Sequence, residues 1–149
     1  MENNVILSIR DLNIKFNLRG QILHAIRGVS LDLFNGECLA IVGESGSGKS
    51  VLVKSCMGLL DKNGFVDSGS IVYKDMELTE NKREKDWEKI RGGQIAMVMQ
   101  DPMTSLNPLK SIGWQIGESL KYHQNLSGEA AKNKVMEMLA DVKSEAKRS

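Results

Sequence analysis

The feature that most constrains this chain is a glycine-rich segment in its first half. Residues 37–42, which precede it, form a nearly continuous apolar run, typical of a strand covered on both faces. Residues 49–60 predict a helix, with Gly58 as its weak point. A buried strand that passes into a helix through a glycine-rich turn predicts an α/β fold. The segment consists of Gly43, Glu44, Ser45, Gly46, Ser47, Gly48, Lys49 and Ser50.

The order of these residues suits the chemistry of phosphate binding. Glycines remove Cβ atoms and permit unusual dihedrals, so the amides of residues 45–51, ending at Val51, can converge on phosphate oxygens. The positive end of the helix dipole points the same way. Lys49 adds a full charge toward the β- and γ-phosphates, and the Ser50 hydroxyl can ligate Mg²⁺. The alternative is a chance glycine-serine linker, which would need neither the buried strand nor lysine followed by serine.

The bulk composition is that of an ordinary globular chain. Of 149 residues, 41% are hydrophobic and 26% charged, and 20 Lys and Arg nearly balance 19 Asp and Glu. The net charge of +1 gives no global field that favours nucleic acid. Cys38 and Cys56 lack metal-site spacing and are predicted to be small buried thiols. The sequence shows neither a signal peptide nor a membrane-spanning apolar run, so we expect a cytoplasmic location.

The remaining pattern alternates strands and helices. Runs at residues 5–10, 13–18, 21–26 and 29–33 predict short strands, with a hairpin turn at Arg19-Gly20. Residues 67–70 predict a turn before a strand at 71–73. A surface helix is predicted at residues 81–91 and a second buried strand at 94–99. Helices are predicted at residues 111–122 and 127–142.

A second segment narrows the choice among P-loop proteins, since the loop alone leaves kinases, GTPases and motor ATPases open. Residues 97–108 (MVMQDPMTSLNP), followed by 112–116 (IGWQI), resemble the Q-loop region of ATP-binding cassette (ABC) transporter ATPases. With the glycine loop and residues 25–30 (AIRGVS), they resemble the subfamily that energises oligopeptide, dipeptide and nickel import. The resemblance runs from about Leu7 to Leu139 and so covers nearly the whole chain.

This resemblance implies a fold and a domain plan. The fold is an α/β, P-loop nucleotide triphosphatase fold of the ABC type, with an N-terminal antiparallel β subdomain and an incomplete core sheet. Residues 1–149 would form a partial ABC ATP-binding domain. Residues 1–36 and 64–80 would form the β subdomain, 37–61 and 92–100 the nucleotide-binding core, and 101–149 the start of the helical subdomain.

The resemblance also implies ligands, partners and two further site residues. Phe16 matches the aromatic residue that stacks on adenine, the alternative being a plain strand residue. Gln100 matches the glutamine that reaches Mg²⁺ and the attacking water, the alternative being a capping amide. Gln100 and Lys49 are the implied catalytic residues. The implied cofactors are ATP and Mg²⁺, and the implied partners are a membrane permease subunit and a second ATP-binding subunit, with no nucleic acid. The chain would then lie on the inner face of the membrane through the permease.

Three family motifs are not found in the sequence: the Leu-Ser-Gly-Gly-Gln signature, the acidic Walker B motif and the switch histidine. Residues 126–129 (LSGE) imitate the signature but lie too close to Gln100, and Ser127 fits better as a helix N-cap. We therefore expect no meaningful steady-state ATPase activity from this chain alone. A core sheet without its acidic-motif strand would leave apolar surface open, so we also expect marginal stability.

Three functional hypotheses follow. The first is the ATP-binding subunit of an importer for peptides or nickel, which couples ATP binding and hydrolysis to transport. The alternative is a non-hydrolysing nucleotide-binding or interaction module that docks on a permease. A small P-loop kinase is weaker, because the sequence contains no cluster of arginines suited to an acceptor lid.

Overall fold

Antiparallel strands built from the first alternating runs form the main sheet. Residues 4–80, 83–100 and 106–145 are described by a computed structural model, in which the chain divides into two units between Arg91 and Gly92. Strand β1 (Val5–Leu18) pairs with β2 (Gln21–Phe34) and with β3 (Gly64–Tyr73), and β3 pairs with the short β4 (Met76–Glu77). The order β2-β1-β3-β4 confirms the predicted antiparallel N-terminal sheet.

The predicted hairpin joins β1 to β2. Arg19 and Gly20 have φ angles of 50° and 90°, and two consecutive positive values match the twist of a two-residue hairpin turn. This turn sets the register in which Phe16 lies opposite Leu23. The prediction of a hairpin at Arg19-Gly20 is therefore confirmed.

The strands are longer than predicted. Positions that the sequence analysis interprets as strand ends are irregularities within continuous strands. The register of β1 shifts between Arg10 and Asn13 against β3, and between Ile9 and Ile14 against β2. The Asn13 side chain accepts a bond from the Gly28 amide of β2 at 3.0 Å and donates to Ser68 Oγ of β3 at 3.1 Å. The predicted turn at residues 67–70 is thus wrong: these residues lie within β3.

The helices of the first unit are shorter than predicted. Helix α1 (Lys49–Ser55) ends early because Gly58 takes a left-handed φ of 60° and the Leu59 amide donates back to Lys54 O at 2.9 Å. Helix α2 (Glu84–Glu88) falls inside the predicted helix at 81–91, of which residues 81 and 82 lie outside the described residues.

A cluster around Arg91 fastens the end of α1. The Arg91 guanidinium donates to the carbonyls of Met57 and Gly58, both at 2.8 Å, and pairs with Glu84 at 2.5 Å. It also lies over the Trp87 ring, 5.4 Å from the centroid. Trp87 is buried against Gly58, where an added Cβ would lie 2.3 Å from a ring carbon. This packing fixes the helix that begins with Lys49 and Ser50.

The two segments predicted as buried strands are not strands among the described residues. Residues 37–42 and 96–99 have no assigned secondary structure, and Val42 and Val98 are 88% and 91% exposed. The physical reason is that a strand requires a ladder partner, and within the described ranges the sheet contains four other strands. The core sheet is therefore incomplete, as expected. Marginal stability stays a prediction that this exposed apolar surface supports.

The two cysteines differ in solvent exposure because only one of them lies in a packed part of the chain. Cys38 lies in the segment 37–42, which is not a strand, and its side chain is exposed. The prediction of a buried thiol is therefore wrong for Cys38. Cys56 is buried at the end of α1, as predicted. Burial raises the pKa of the Cys56 thiol to about 11, so it stays protonated at neutral pH.

The second unit contains a pair of helices. Helix α3 (Ile112–Gln124) begins where the Ser111 hydroxyl accepts a bond from the Trp114 amide at 3.2 Å, and α4 (Gly128–Glu145) follows it. Leu120, Ala131 and Val135 are their buried residues. In the portion of the chain that the structure describes, no helix has the length and apolar character needed to cross a membrane.

Candidate nucleotide-binding site

The glycine loop leads directly into α1, and its glycines are required by the geometry. Gly46 and Gly48 have φ angles of 80° and 93°, a region that L-residues rarely adopt. A Cβ at Gly48 would lie 2.9 Å from the carbonyl oxygen of Ala25 and 2.8 Å from Cδ1 of Ile26. The loop is thus held close to strand β2 at a point where only glycine fits.

The amides in the first turn of α1 are available to a ligand because the helix itself offers them no acceptor. The first turn carries the amides of Lys49, Ser50 and Val51, which have no acceptor within a helix. Ser47 differs, because its amide donates to Glu44 O at 3.2 Å inside the loop. Among the amides 45–51 that the sequence predicts to converge on phosphate, the Ser47 amide is thus engaged within the loop itself.

The Lys49 side chain folds back across the loop that precedes it. Its ammonium donates to the carbonyl oxygens of Gly43 at 2.7 Å and Glu44 at 2.6 Å, and it lies 3.3 Å from Ser47 Oγ. These bonds hold the charge within the curve of the loop. An anion that enters this curve meets a positioned cation and the positive end of the helix.

One cavity of about 500 Å³ joins the loop to the sheet. Its lining includes the end of the loop and the start of α1, from Gly46 to Val51, together with Phe16 and its neighbours on β1 and β2. The cavity suits a ligand with a charged end and a flat end, because its lining includes both the positively charged Lys49 and the Phe16 ring. The full lining is Phe16, Leu18, Leu23, His24, Ala25, Gly46, Ser47, Gly48, Lys49, Ser50, Val51, Asp61 and Asn63.

The structure brings most of the predicted site residues together. Phe16 and the residues from Gly46 to Val51 share the cavity, while Gly43 and Glu44 act through carbonyls that hold Lys49. Ser45 is exposed in the turn of the loop. Gln100 belongs to the second unit, where it lies exposed in a bend, so its part in the site stays a prediction. Residues 101–105 of the predicted Q-loop stretch lie outside the described residues.

Several residues of the cavity were not predicted from the sequence. Leu18 and Leu23 extend the apolar wall beside Phe16, and Asp61 and Asn63 add polar atoms to it. Leu23 could have been found, because the Arg19-Gly20 hairpin fixes it opposite Phe16. No local signal marks Asp61 or Asn63; Asn63 is held beside β1 by hydrogen bonds with the backbone of Asn17, at 2.8 and 3.2 Å.

A loop of the pattern Gly-x-x-x-x-Gly-Lys-Ser that leads into a helix, as residues 43–50 lead into α1, defines the class of P-loop nucleotide-binding proteins. The family model described as ABC transporter matches residues 26–149, and the chain belongs to that family. The fold agrees: the chain is similar to the dimeric ATP-binding cassette MJ0796, with a TM-score of 0.73 and 25% identity, over 90% of this chain and 56% of that one. A post-hydrolysis dimer of the same cassette bound to ADP and Pi gives a TM-score of 0.74 at 24% identity.

Curated relatives confirm the predicted resemblance to peptide importers. The chain is 51% identical over 141 residues to the oligopeptide transport ATP-binding protein AmiE of Streptococcus pneumoniae, covering 95% of this chain and 40% of that protein. It is 45% identical to the dipeptide transport ATP-binding protein DppD of Bacillus subtilis, covering 91% and 40%. It is 42% identical to the glutathione import ATP-binding protein GsiA of Salmonella typhimurium, covering 96% and 24%. The chain thus spans less than half the length of these relatives.

Proposed function

We propose that this chain binds ATP with Mg²⁺ at the glycine loop and serves as ATP-binding part of an ABC importer. The observation that carries the proposal is the single cavity that joins the phosphate loop, with its positioned Lys49, to the aromatic wall of Phe16. Phosphates would lie in the curve of the loop and the base would stack on Phe16, because each wall suits one end of a nucleotide.

Magnesium fits the donors available here. The hydroxyl of Ser50 lies in the first turn of α1 on the cavity wall, and phosphate oxygens of the same ligand supply further hard donors. Bound Mg²⁺ would offset the negative charge of the triphosphate. Gln100 would contribute its amide oxygen and orient the attacking water, the role that the sequence predicts for it.

The cargo, partners and location are proposed from the relatives. Their names point to peptides, and glutathione is itself a small peptide; nickel stays an option from the sequence resemblance alone. We propose that the chain acts beside a second ATP-binding subunit and couples to a membrane permease through the loop after Gln100. It would then lie on the cytoplasmic face of the membrane.

A metal-removal titration tests the proposal. Calorimetric titration of the chain with ATP in Mg²⁺ is expected to give saturable binding, and EDTA is expected to weaken it because the Mg²⁺ that would link the phosphates to the Ser50 hydroxyl is removed. Ser50→Ala should lose most of this Mg²⁺ dependence, since it removes the protein's hydroxyl donor on the cavity wall. An equal effect of Mg²⁺ on ATP binding in wild type and in Ser50→Ala would contradict the assigned role of Ser50.

A further inference from the structure

We propose that Gly64 is a positioning residue for the ring of Phe16, and that it thereby determines how firmly the nucleobase is held. This inference rests on the proposed function, because it assigns a role to a residue behind the ligand wall. Gly64 is not among the residues that line the cavity, and it acts only through Phe16.

The sheet brings the two residues together. Phe16 lies in the central strand β1, opposite Leu23 of β2 on one side and opposite Gly64 of β3 on the other. A Cβ built on Gly64 would lie 2.6 Å from Cε1 of the Phe16 ring, and 3.0 Å from both Cδ1 and Cζ. The ring therefore occupies the space that a side chain at position 64 would need.

This close approach does not depend on an unusual backbone. The φ angle of Gly64 lies outside the left-handed region, so alanine can adopt the same backbone without strain. Its amide donates to Asp61 O at 2.8 Å, a bond that alanine retains. The absent side chain at position 64 is thus explained by the ring and not by the turn.

An added methyl group would move the ring and leave the sheet in place. Phe16 is only half-buried and borders an open cavity of about 500 Å³, so its ring can swing away from the sheet at small cost in stability. The displaced ring would enter the space where the base stacks. Stacking depends on contact between two flat faces, so ring displacement weakens ligands that carry a base and spares those that do not.

The test compares Gly64→Ala with wild type in a double-mutant cycle with Phe16→Ala. Gly64→Ala is expected to weaken Mg-ATP binding about three- to tenfold, part of the loss that removing a base-stacking ring causes. Affinity for inorganic tripolyphosphate with Mg²⁺ should stay unchanged, and so should the urea midpoint. In the Phe16→Ala background, Gly64→Ala should have no further effect, because the ring it displaces is gone. Phe65→Ala, the neighbouring strand position whose side chain is not part of this cavity, serves as the matched control.

Either of two binding results would overturn the inference. Equal weakening of ATP and tripolyphosphate would indicate a general structural effect, and additive losses in the cycle would separate Gly64 from Phe16. A wild-type chain that fails to bind Mg-ATP would instead contradict the proposed function. In that case, NMR cross-peaks between the Phe16 ring and the backbone of residue 64 in the nucleotide-free protein still decide the question. Peaks lost in Gly64→Ala support ring positioning, and unchanged peaks overturn it.

Discussion

Lys49→Ala is expected to bind Mg-ATP about 10- to 100-fold more weakly than the wild-type chain, the range for losing hydrogen bonds to a charged group. The ammonium is held inside the loop by the carbonyls of Gly43 and Glu44, so its charge is positioned before any phosphate arrives. Alanine removes that charge and also releases the loop that it braces. Titration calorimetry with Mg-ATP, at constant ionic strength, measures the change.

Lys54→Ala provides the matched control for this loss. Lys54 lies in the last turn of the same helix and is not part of the cavity, so its replacement removes an equal charge without touching the site. We expect Lys54→Ala to bind Mg-ATP within about twofold of wild type, because Lys54 lies at the other end of α1 and does not line the cavity. Equal losses of Mg-ATP affinity in the two variants would mean that Lys49 acts only through the net charge of the chain. An unchanged affinity in Lys49→Ala would remove the central argument for a phosphate site.

The sequence predicts the part of the site whose residues are adjacent in the chain. Gly48 and Lys49 follow one another, and the backbone that they require is set by the loop and the helix that it opens, so the pattern predicts the arrangement. Phe16 entered only through the family resemblance, because a phenylalanine in a strand has no local mark of a ligand contact. Gly64 could not be predicted at all: its importance comes from pairing with a residue 48 positions earlier, which only the register of β1 and β3 reveals.

The sequence predicts the fold correctly where local backbone preferences determine the conformation. It fails where pairing with neighbouring strands determines the conformation. The Arg19-Gly20 turn follows from local backbone preference and was found. Asp11, Gly28 and Gly69 each resemble the end of a strand, because polar residues and glycine disfavour regular strands. In the structure these residues lie within the continuous strands β1, β2 and β3, next to the register shifts of β1. The Asn13 side chain bonds to β2 and β3 there. An interruption shared across strands cannot be recognised in any one of them.

Gly69→Ala tests that shared bulge and is expected to lower the free energy of unfolding by about 3 kcal/mol or more, a large loss for one added methyl group. Gly69 has a φ of 90°, and a Cβ there would lie 2.5 Å from the carbonyl oxygen of Asp11 and 2.6 Å from that of Arg10. Both obstacles are backbone atoms of the neighbouring strand. The Asp11 carbonyl is also held by the Asn13 side chain at 2.8 Å, so it cannot move aside freely. Urea denaturation followed by circular dichroism measures the loss.

Gly20→Ala separates the steric part of this cost from the conformational part. Gly20 has the same φ of 90°, but no heavy atom lies within 4 Å of its added Cβ. Both variants carry the left-handed penalty of about 1–2 kcal/mol, and only Gly69→Ala also forces two strands apart. We therefore expect Gly20→Ala to fold with a modestly lower urea midpoint and Gly69→Ala to lose at least about 1 kcal/mol more or to fail to fold. Equal losses in the two variants would mean that β1 and β3 can separate at the bulge without cost, and the bulge would then not fix the register that places Gly64 against Phe16.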